Sequence, residues 1–183
     1  AEAARGLRES SNGRIEVIER FSKQGLGTAY ICGFSHPWAR DARYVVQMDA
    51  DLSHAPEYIP AMLKVLEHAD VAVGSRYVPG GAIDEIWSPK RRLVSYLGNL
   101  GIRLVAGLKV RDATSGFKAF RGSTLSALLL SEFRCKGFGF QAEIAHACQR
   151  RGYRVSEHPI VFQDRAKGRS KMSLNIVLEA LWR

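Results

Sequence analysis

The stretch "RYVVQMDADLSH", Arg43 to His54, decides the reading of this chain. An apolar run reads as a buried strand and then stops at two aspartates one residue apart, Asp49 and Asp51. Aspartate is a poor strand former. With Ala50 between them, the two carboxylates are aimed to one side. In open parallel sheets, ligands sit beyond the carboxyl ends of strands, and this strand end is such a place. Two hard oxygen donors there suit Mg²⁺ or Mn²⁺, which takes one or two carboxylates and completes its shell with phosphates and water. A turn or helix N-cap is the competing reading, because Asp51 and Ser53 both precede "APEYIP". Spacing alone leaves both open.

Working outward, the chain alternates strands and helices. "GRIEVIERF" reads as a strand, and "GTAYICGFSHPWAR" as a helix despite Pro37 near its end. After the decisive strand come a helix, "APEYIPAMLKVLEHA", and a third strand, "DVAVGSRYV". This order predicts an α/β fold with a mostly parallel sheet and helices on both faces. Beyond Gly80–Gly81, "PKRRLVSYLGNLGIRLVAGL" carries Leu93, Leu97, Leu100, Leu104 and Leu108 at helical spacing. A helix packed on the core by those leucines is expected in preference to one lying on a membrane surface. "DATSGFKAF" reads as a turn into a strand, "FQAEIAHACQRRG" as a short helix with a Gly stop, and "YRVSEHPIVF" as a strand. "DRAKGRSKMS" is a basic loop and "LNIVLEALWR" an amphipathic helix, either packed on the core or lying on a bilayer. No repeat or low-complexity linker interrupts residues 1–183, which read as one domain.

The 183 residues are 46% hydrophobic, enough for a globular core. Three cysteines, Cys32, Cys135 and Cys148, form no CxxC pair. They argue against a disulfide framework or a zinc site and read as small core residues. "AEAARGLRES" carries no signal-peptide core and reads as a helix already under way, as though the chain had been cut before it. No run reaches the roughly 18 apolar residues of a membrane span. The net charge of +9 is divided unevenly. Residues 1–89 hold 9 Lys+Arg against 12 Asp+Glu, and residues 90–183 hold 18 against 6. The second half is therefore a cationic surface for an anionic partner: phosphate, nucleic acid or an anionic membrane face. "GLGTAY" lacks the third Gly of a dinucleotide fingerprint and the GK[ST] of a P-loop, so it reads as a tight turn into a helix.

"MDADLSHAPEYIP" followed by "ADVAVGSRYVPGG" resembles the family-2 glycosyltransferases, and more closely their dolichol-phosphate (polyprenol-phosphate) mannose synthases. "DATSGFKAF", "GFGFQAEI" and "RAKGRSKMS" continue the resemblance in order, so that it covers nearly the whole chain. The resemblance implies a GT-A (Rossmann-like) fold and a nucleotide-sugar donor, GDP-mannose. It also implies Mg²⁺ or Mn²⁺ as cofactor and a polyprenyl or dolichyl phosphate as acceptor. The implied activity is an inverting transfer of mannose; glucosyl or aminoarabinosyl transfer to the same lipid is the alternative. A nucleic-acid-binding module is the rival from another class. It is disfavoured because the basic residues fall in loops beside acidic strand ends, and no nucleic-acid motif appears.

The resemblance also implies roles. Asp51 ligates the metal, and Asp49 contacts the donor ribose, the metal, or both. Where some members have Gln, this chain has Ser53, which reaches the metal only through a shorter arm or through water. Arg76, in "GSRY", faces a donor phosphate, a good match for a forked guanidinium; an ordinary surface ion pair is the plain alternative. Arg91 and Ser95 match the acceptor loop, and Arg165 and Lys171 are expected to reach the phosphates from a mobile loop that also carries Lys167 and Arg169. A solvated charged face is the alternative for each cluster. His54 is read as a capping or packing residue, because an ionised phosphate acceptor needs no general base. The family's opening strands, which read the nucleotide base, would lie before Ala1. An N-terminally truncated catalytic domain is therefore expected, one that binds nucleotide sugar weakly by itself. A lipid acceptor implies work at the cytoplasmic face of a membrane, with attachment peripheral or through a segment or partner outside this sequence.

Overall fold

The strand that ends at the two aspartates is β1, Tyr44–Gln47. The computed structural model describes residues 2–164. Before β1 lie three helices, α1 (Glu2–Ser10), α2 (Leu26–Phe34) and α3 (Pro37–Asp41). The single helix expected over residues 27–40 is broken in two. Pro37 has no N–H to give and its ring clashes with the preceding turn, so it starts a new helix instead. His36 caps that helix, its Nδ1 accepting from the Trp38 N–H at 3.4 Å.

After β1, a 3₁₀ turn (Pro56–Tyr58) leads into α4 (Ile59–Val65), then β2 (Val71–Ser75) and β3 (Ala82–Ile83). The long helix α5 (Pro89–Val105) precedes β4 (Lys118–Arg121) and α6 (Gly122–Ser126). Helix α7 (Phe140–Arg150), β5 (Val155–Pro159) and β6 (Val161–Phe162) follow. The main sheet has the order β1-β4-β2-β5, and β3 pairs with β6 in a small second sheet.

The α/β class is as the sequence predicts, but the sheet is mixed. β4 lies between β1 and β2 and runs antiparallel to both, while β2 and β5 are parallel. β1, β2 and β5 therefore point the same way, and their carboxyl ends share one edge with the entry to β4. That edge gathers Asp49, Arg76 and residues 112–118. The sheet is covered on both faces. Val71, Val73 and Phe120 pack with Phe34, Phe140 and Ile144 on one side; Ala72 and Ala119 pack with Met62, Leu66, Phe117 and Ile160 on the other.

Two expectations fail for physical reasons. "GRIEVIERF" is not a strand: residues 15–20 carry no regular structure. Its alternation suits a strand, but a strand holds only with a hydrogen-bonded neighbour, and among the described residues none pairs with it. In α5 three of the expected leucines face outward, while Leu108, just past the helix, is buried in the core with Ile102. Leu93 is 57% exposed, Leu97 53% and Leu104 73%, whereas Ser95, Asn99 and Ile102 are buried. The inner face carries two polar groups because Asn99 serves the backbone of a loop, described below, and Ser95 meets the Tyr77 hydroxyl. The cysteines are all free, with Cys148 fully buried.

Candidate active site

Asp49 is fixed from three directions. Its backbone N–H donates to His54 Nδ1 at 3.1 Å, and its Oδ1 accepts from the Tyr30 hydroxyl at 2.7 Å. Its carboxylate also lies against the backbone of Gly116, where a Cβ would stand 3.4 Å from Oδ2 and 3.3 Å from His54 Cε1. Burial pushes the Tyr30 phenol up, and the Asp49 charge adds to this, so Tyr30 stays a donor. Burial pulls His54 down, against the opposing charge of Asp49. A neutral ring accepting at Nδ1 carries its proton on Nε2. His54 is thus a packing and orienting residue, held between Phe117 at 5.2 Å and Phe162 at 5.5 Å.

Asp51 closes a tight turn. Its Oδ1 accepts from Ser53 N–H at 3.1 Å and from the Ser53 hydroxyl. Leu52, between them, takes a φ of 66°, a left-handed conformation uncommon for leucine. Ser53 is 1% exposed with its hydroxyl turned to Asp51, so it orients that carboxylate. Both aspartates bear electrostatically on Tyr30 and His54, which places them around one spot. Among the described residues no third His, Cys, Asp or Glu joins them in a metal-sized group. Two carboxylates without a closed cage fit Mg²⁺ or Mn²⁺, whose shells are completed by substrate phosphates and water.

Arg76 follows β2 and is held by Asp112, a residue the sequence reading left without a role. Nε and Nη2 of Arg76 donate to the two Asp112 oxygens, both at 2.7 Å, and the Arg76 backbone N–H adds a third bond at 3.0 Å. Nη2 also reaches Thr114 Oγ1 at 2.8 Å. Burial works against both charges, but each outweighs that penalty for the other: Arg76 is raised and Asp112 lowered. The plain alternative of a surface ion pair does not apply, since the side chains are 9% and 0% exposed. Asp112 and Thr114 thus engage the Nε and Nη2 edge of the guanidinium. Phe162 ties this arginine to His54, the partner of the Asp49 N–H: its ring lies 5.2 Å from the Arg76 guanidinium and against His54.

Beneath Asp49 lies a buried polar network. Lys118, 1% exposed, donates to Ser115 O and to Gln141 Oε1, which also accepts from Gln47 Nε2 at 2.8 Å. Lys118 and Gln141 fall inside the quoted stretches "DATSGFKAF" and "GFGFQAEI". A lysine between Phe117 and Ala119 in an expected strand was the available signal. Burial lowers the Lys118 ammonium to about 7. The unfolded chain holds this proton up to about 10.4, so between the two values the unfolded state binds more protons and stability rises with pH. Relative to Lys118→Met, the wild-type urea midpoint is therefore expected to climb from pH 7 to pH 9. A constant difference between the two midpoints would sink the assignment.

At the start of α5, Arg91 forks onto Asp164 at 3.0 and 3.1 Å and stacks over Trp87 at 3.6 Å. Trp87 in turn packs on Phe162 at 5.8 Å, so Arg91 joins the same cluster. Ser95 is 3% exposed, and its hydroxyl meets Tyr77 OH at 3.0 Å. Arg165, Lys167, Arg169 and Lys171 lie outside the described residues. The structure thus sets Arg76 and His54 against Phe162, with Asp49 bonded to His54 and Arg91 joined through Trp87, keeps Asp51 in the adjoining turn with Ser53, and turns Ser95 inward.

Residues 1–129 match the family described as Glycosyl transferase family 2. The chain is 41% identical over 174 residues to an undecaprenyl-phosphate mannosyltransferase of Micrococcus luteus, covering 95% of this chain and 71% of the relative. It is 39% identical over 171 residues to a polyprenol monophosphomannose synthase of Mycolicibacterium smegmatis, covering 93% of this chain and 64% of the relative. Among solved structures, glucosyl-3-phosphoglycerate synthase from Mycobacterium tuberculosis with phosphoglyceric acid matches with a TM-score of 0.51. That likeness covers 96% of this chain and 60% of the other at 19% identity, and it concerns the fold. The chain belongs to glycosyl transferase family 2.

Proposed function

We propose that this chain is the catalytic domain of an inverting enzyme that moves mannose from GDP-mannose to a polyprenyl or dolichyl phosphate, using Mg²⁺ or Mn²⁺. The observation that carries the reading is that Phe162 joins the Asp112-held Arg76 to His54, the partner of Asp49 in the turn that also holds Asp51, in a chain whose relatives are named for mannose transfer to polyprenyl phosphates. Asp51 and Asp49 would hold the ion, and Asp49 would also contact the donor ribose. Bound there, a divalent cation neutralises the leaving nucleoside diphosphate as a Lewis acid. Arg76 offers Nη1 to the same diphosphate, its other edge being fixed by Asp112. Arg91 serves the acceptor phosphate from the start of α5, and Arg165 and Lys171 serve it from the stretch that follows Asp164. The acceptor is already ionised near neutral pH, so the task is to bring two anions together and screen their repulsion.

A lipid acceptor also accounts for α5. Its outward stripe of Leu93, Leu97 and Leu104 sits among Lys90, Arg91, Arg92 and Arg103, an apolar face rimmed with cations that suits the cytoplasmic surface of an anionic bilayer. Among the described residues no helix is long and apolar enough to cross a membrane. The direct test incubates full-length protein with radiolabelled nucleotide sugars, Mg²⁺ and polyprenyl phosphate, then identifies the sugar in the extracted lipid. Mannose from GDP-mannose is expected; a lipid labelled only from another nucleotide sugar would overturn the proposal.

A charge-assisted phosphate contact made chiefly in the transition state supports roughly ten- to a hundred-fold in rate. Lys171→Ala is accordingly expected to lower kcat by about that factor without loss of folding, and Arg169→Ala to matter less. The reverse order of effects would show that the register of this basic stretch has been misread.

A further inference from the structure

Resting on the donor reading of Arg76, we infer that Asn99, in the middle of α5, is a positioning residue for the donor diphosphate. It acts through the loop that carries Asp112. Asn99 is 2% exposed, and both ends of its amide are used: Oδ1 accepts from Ala113 N–H at 2.9 Å, and Nδ2 donates to Arg111 O at 2.5 Å. The loop is held from the other side by Glu157 of β5, whose oxygens accept from Arg111 N–H at 2.8 Å and Asp112 N–H at 2.9 Å. Residues 111–113 therefore hang on two side chains, where a strand would use a ladder. Asp112, at the centre of this grip, turns its carboxylate to Arg76.

The same face of α5 reaches Arg76 from its other flank. One turn before Asn99, Ser95 Oγ meets Tyr77 OH, and the Tyr77 ring lies 5.1 Å from the Arg76 guanidinium. A buried asparagine in a helix interior is costly unless both of its polar ends are paired. Here both are paired to one loop, and that loop sets the angle of one arginine. Asn99 thus makes the helix bearing the acceptor-side Arg91 a support for the donor-side Arg76. One rigid element sets both halves of the reaction.

Asn99→Asp is isosteric; it keeps the acceptor for Ala113 and loses the donor to Arg111. Asn99→Leu loses both. Kd for GDP with Mg²⁺, measured by calorimetry on the full-length protein, is expected to weaken about tenfold in Asn99→Leu and by less in Asn99→Asp. KM for polyprenyl phosphate should stay within about twofold. In an Arg76→Lys background, which keeps the charge but not the fork, adding Asn99→Leu should change GDP affinity little, because both act on one contact. If Asn99→Leu does not fold, Asn99→Asp carries the same comparison. An unchanged Kd alongside a lowered melting temperature would overturn the inference by leaving Asn99 a merely structural residue, as would an effect fully additive with Arg76→Lys. A wild-type protein that binds no GDP overturns the donor reading itself, and this assignment with it.

Discussion

Asp112→Ala is expected to cost about 3–5 kcal/mol of folding stability, because it leaves a buried cation without its partner. Arg76 cannot shed its proton, and its side chain is 9% exposed, so water reaches it poorly. The lost carboxylate also accepted from the Arg76 backbone N–H, which would be left unpaired. The size of the effect reflects breaking the pair, not the pair's net worth, and the two can be separated. Replacing Arg76 and Asp112 together by apolar residues of similar volume is expected to recover most of the stability and none of the transfer activity. Urea unfolding of the wild type, the single variant and the double variant measures this. A loss below about 1 kcal/mol in Asp112→Ala would mean that the pair is solvated.

The positions of the candidate aspartates at the sheet edge were legible because their chemistry contradicts the strand before them. Two aspartates at the end of "RYVVQM" do not suit a strand, and they follow β1 at the edge where β2 and β5 also end, Asp51 closing a turn there. Arg76 was visible for the same reason, at the end of β2. Asp112 was not, because "DATSG" reads as an ordinary turn and its partner lies 36 positions away. The insertion of β4 between β1 and β2 was also hidden: alternating strands and helices specify direction well and neighbours poorly. Helix α5 misled because leucine spacing reports amphipathicity and not which face is inside. The decisive residues there are Asn99, drawn inward by a loop without ladder bonds, and Ser95, drawn inward by the Tyr77 hydroxyl.

Asp51→Asn is expected to leave the fold intact and to slow transfer by at least about a hundred-fold. Stability should hold because the contacts within the turn do not need the charge. An asparagine Oδ1 accepts from Ser53 N–H and from its hydroxyl as the carboxylate does, and the melting temperature should move little. Activity should not hold, because the substitution removes one of the two carboxylates that the described residues bring to this strand end. Among the described residues no neighbouring acid stands ready to replace it. Asp49 cannot simply swing across, being tied at Oδ1 to Tyr30 and crowded by Gly116. The same comparison tests the cation. Wild-type transfer should fall on adding EDTA and return with Mg²⁺ or Mn²⁺, whereas the variant should need far more of either ion for its residual rate. Wild-type turnover by Asp51→Asn in the presence of EDTA would remove the metal from the mechanism and leave the two aspartates as ligands of the nucleotide sugar alone.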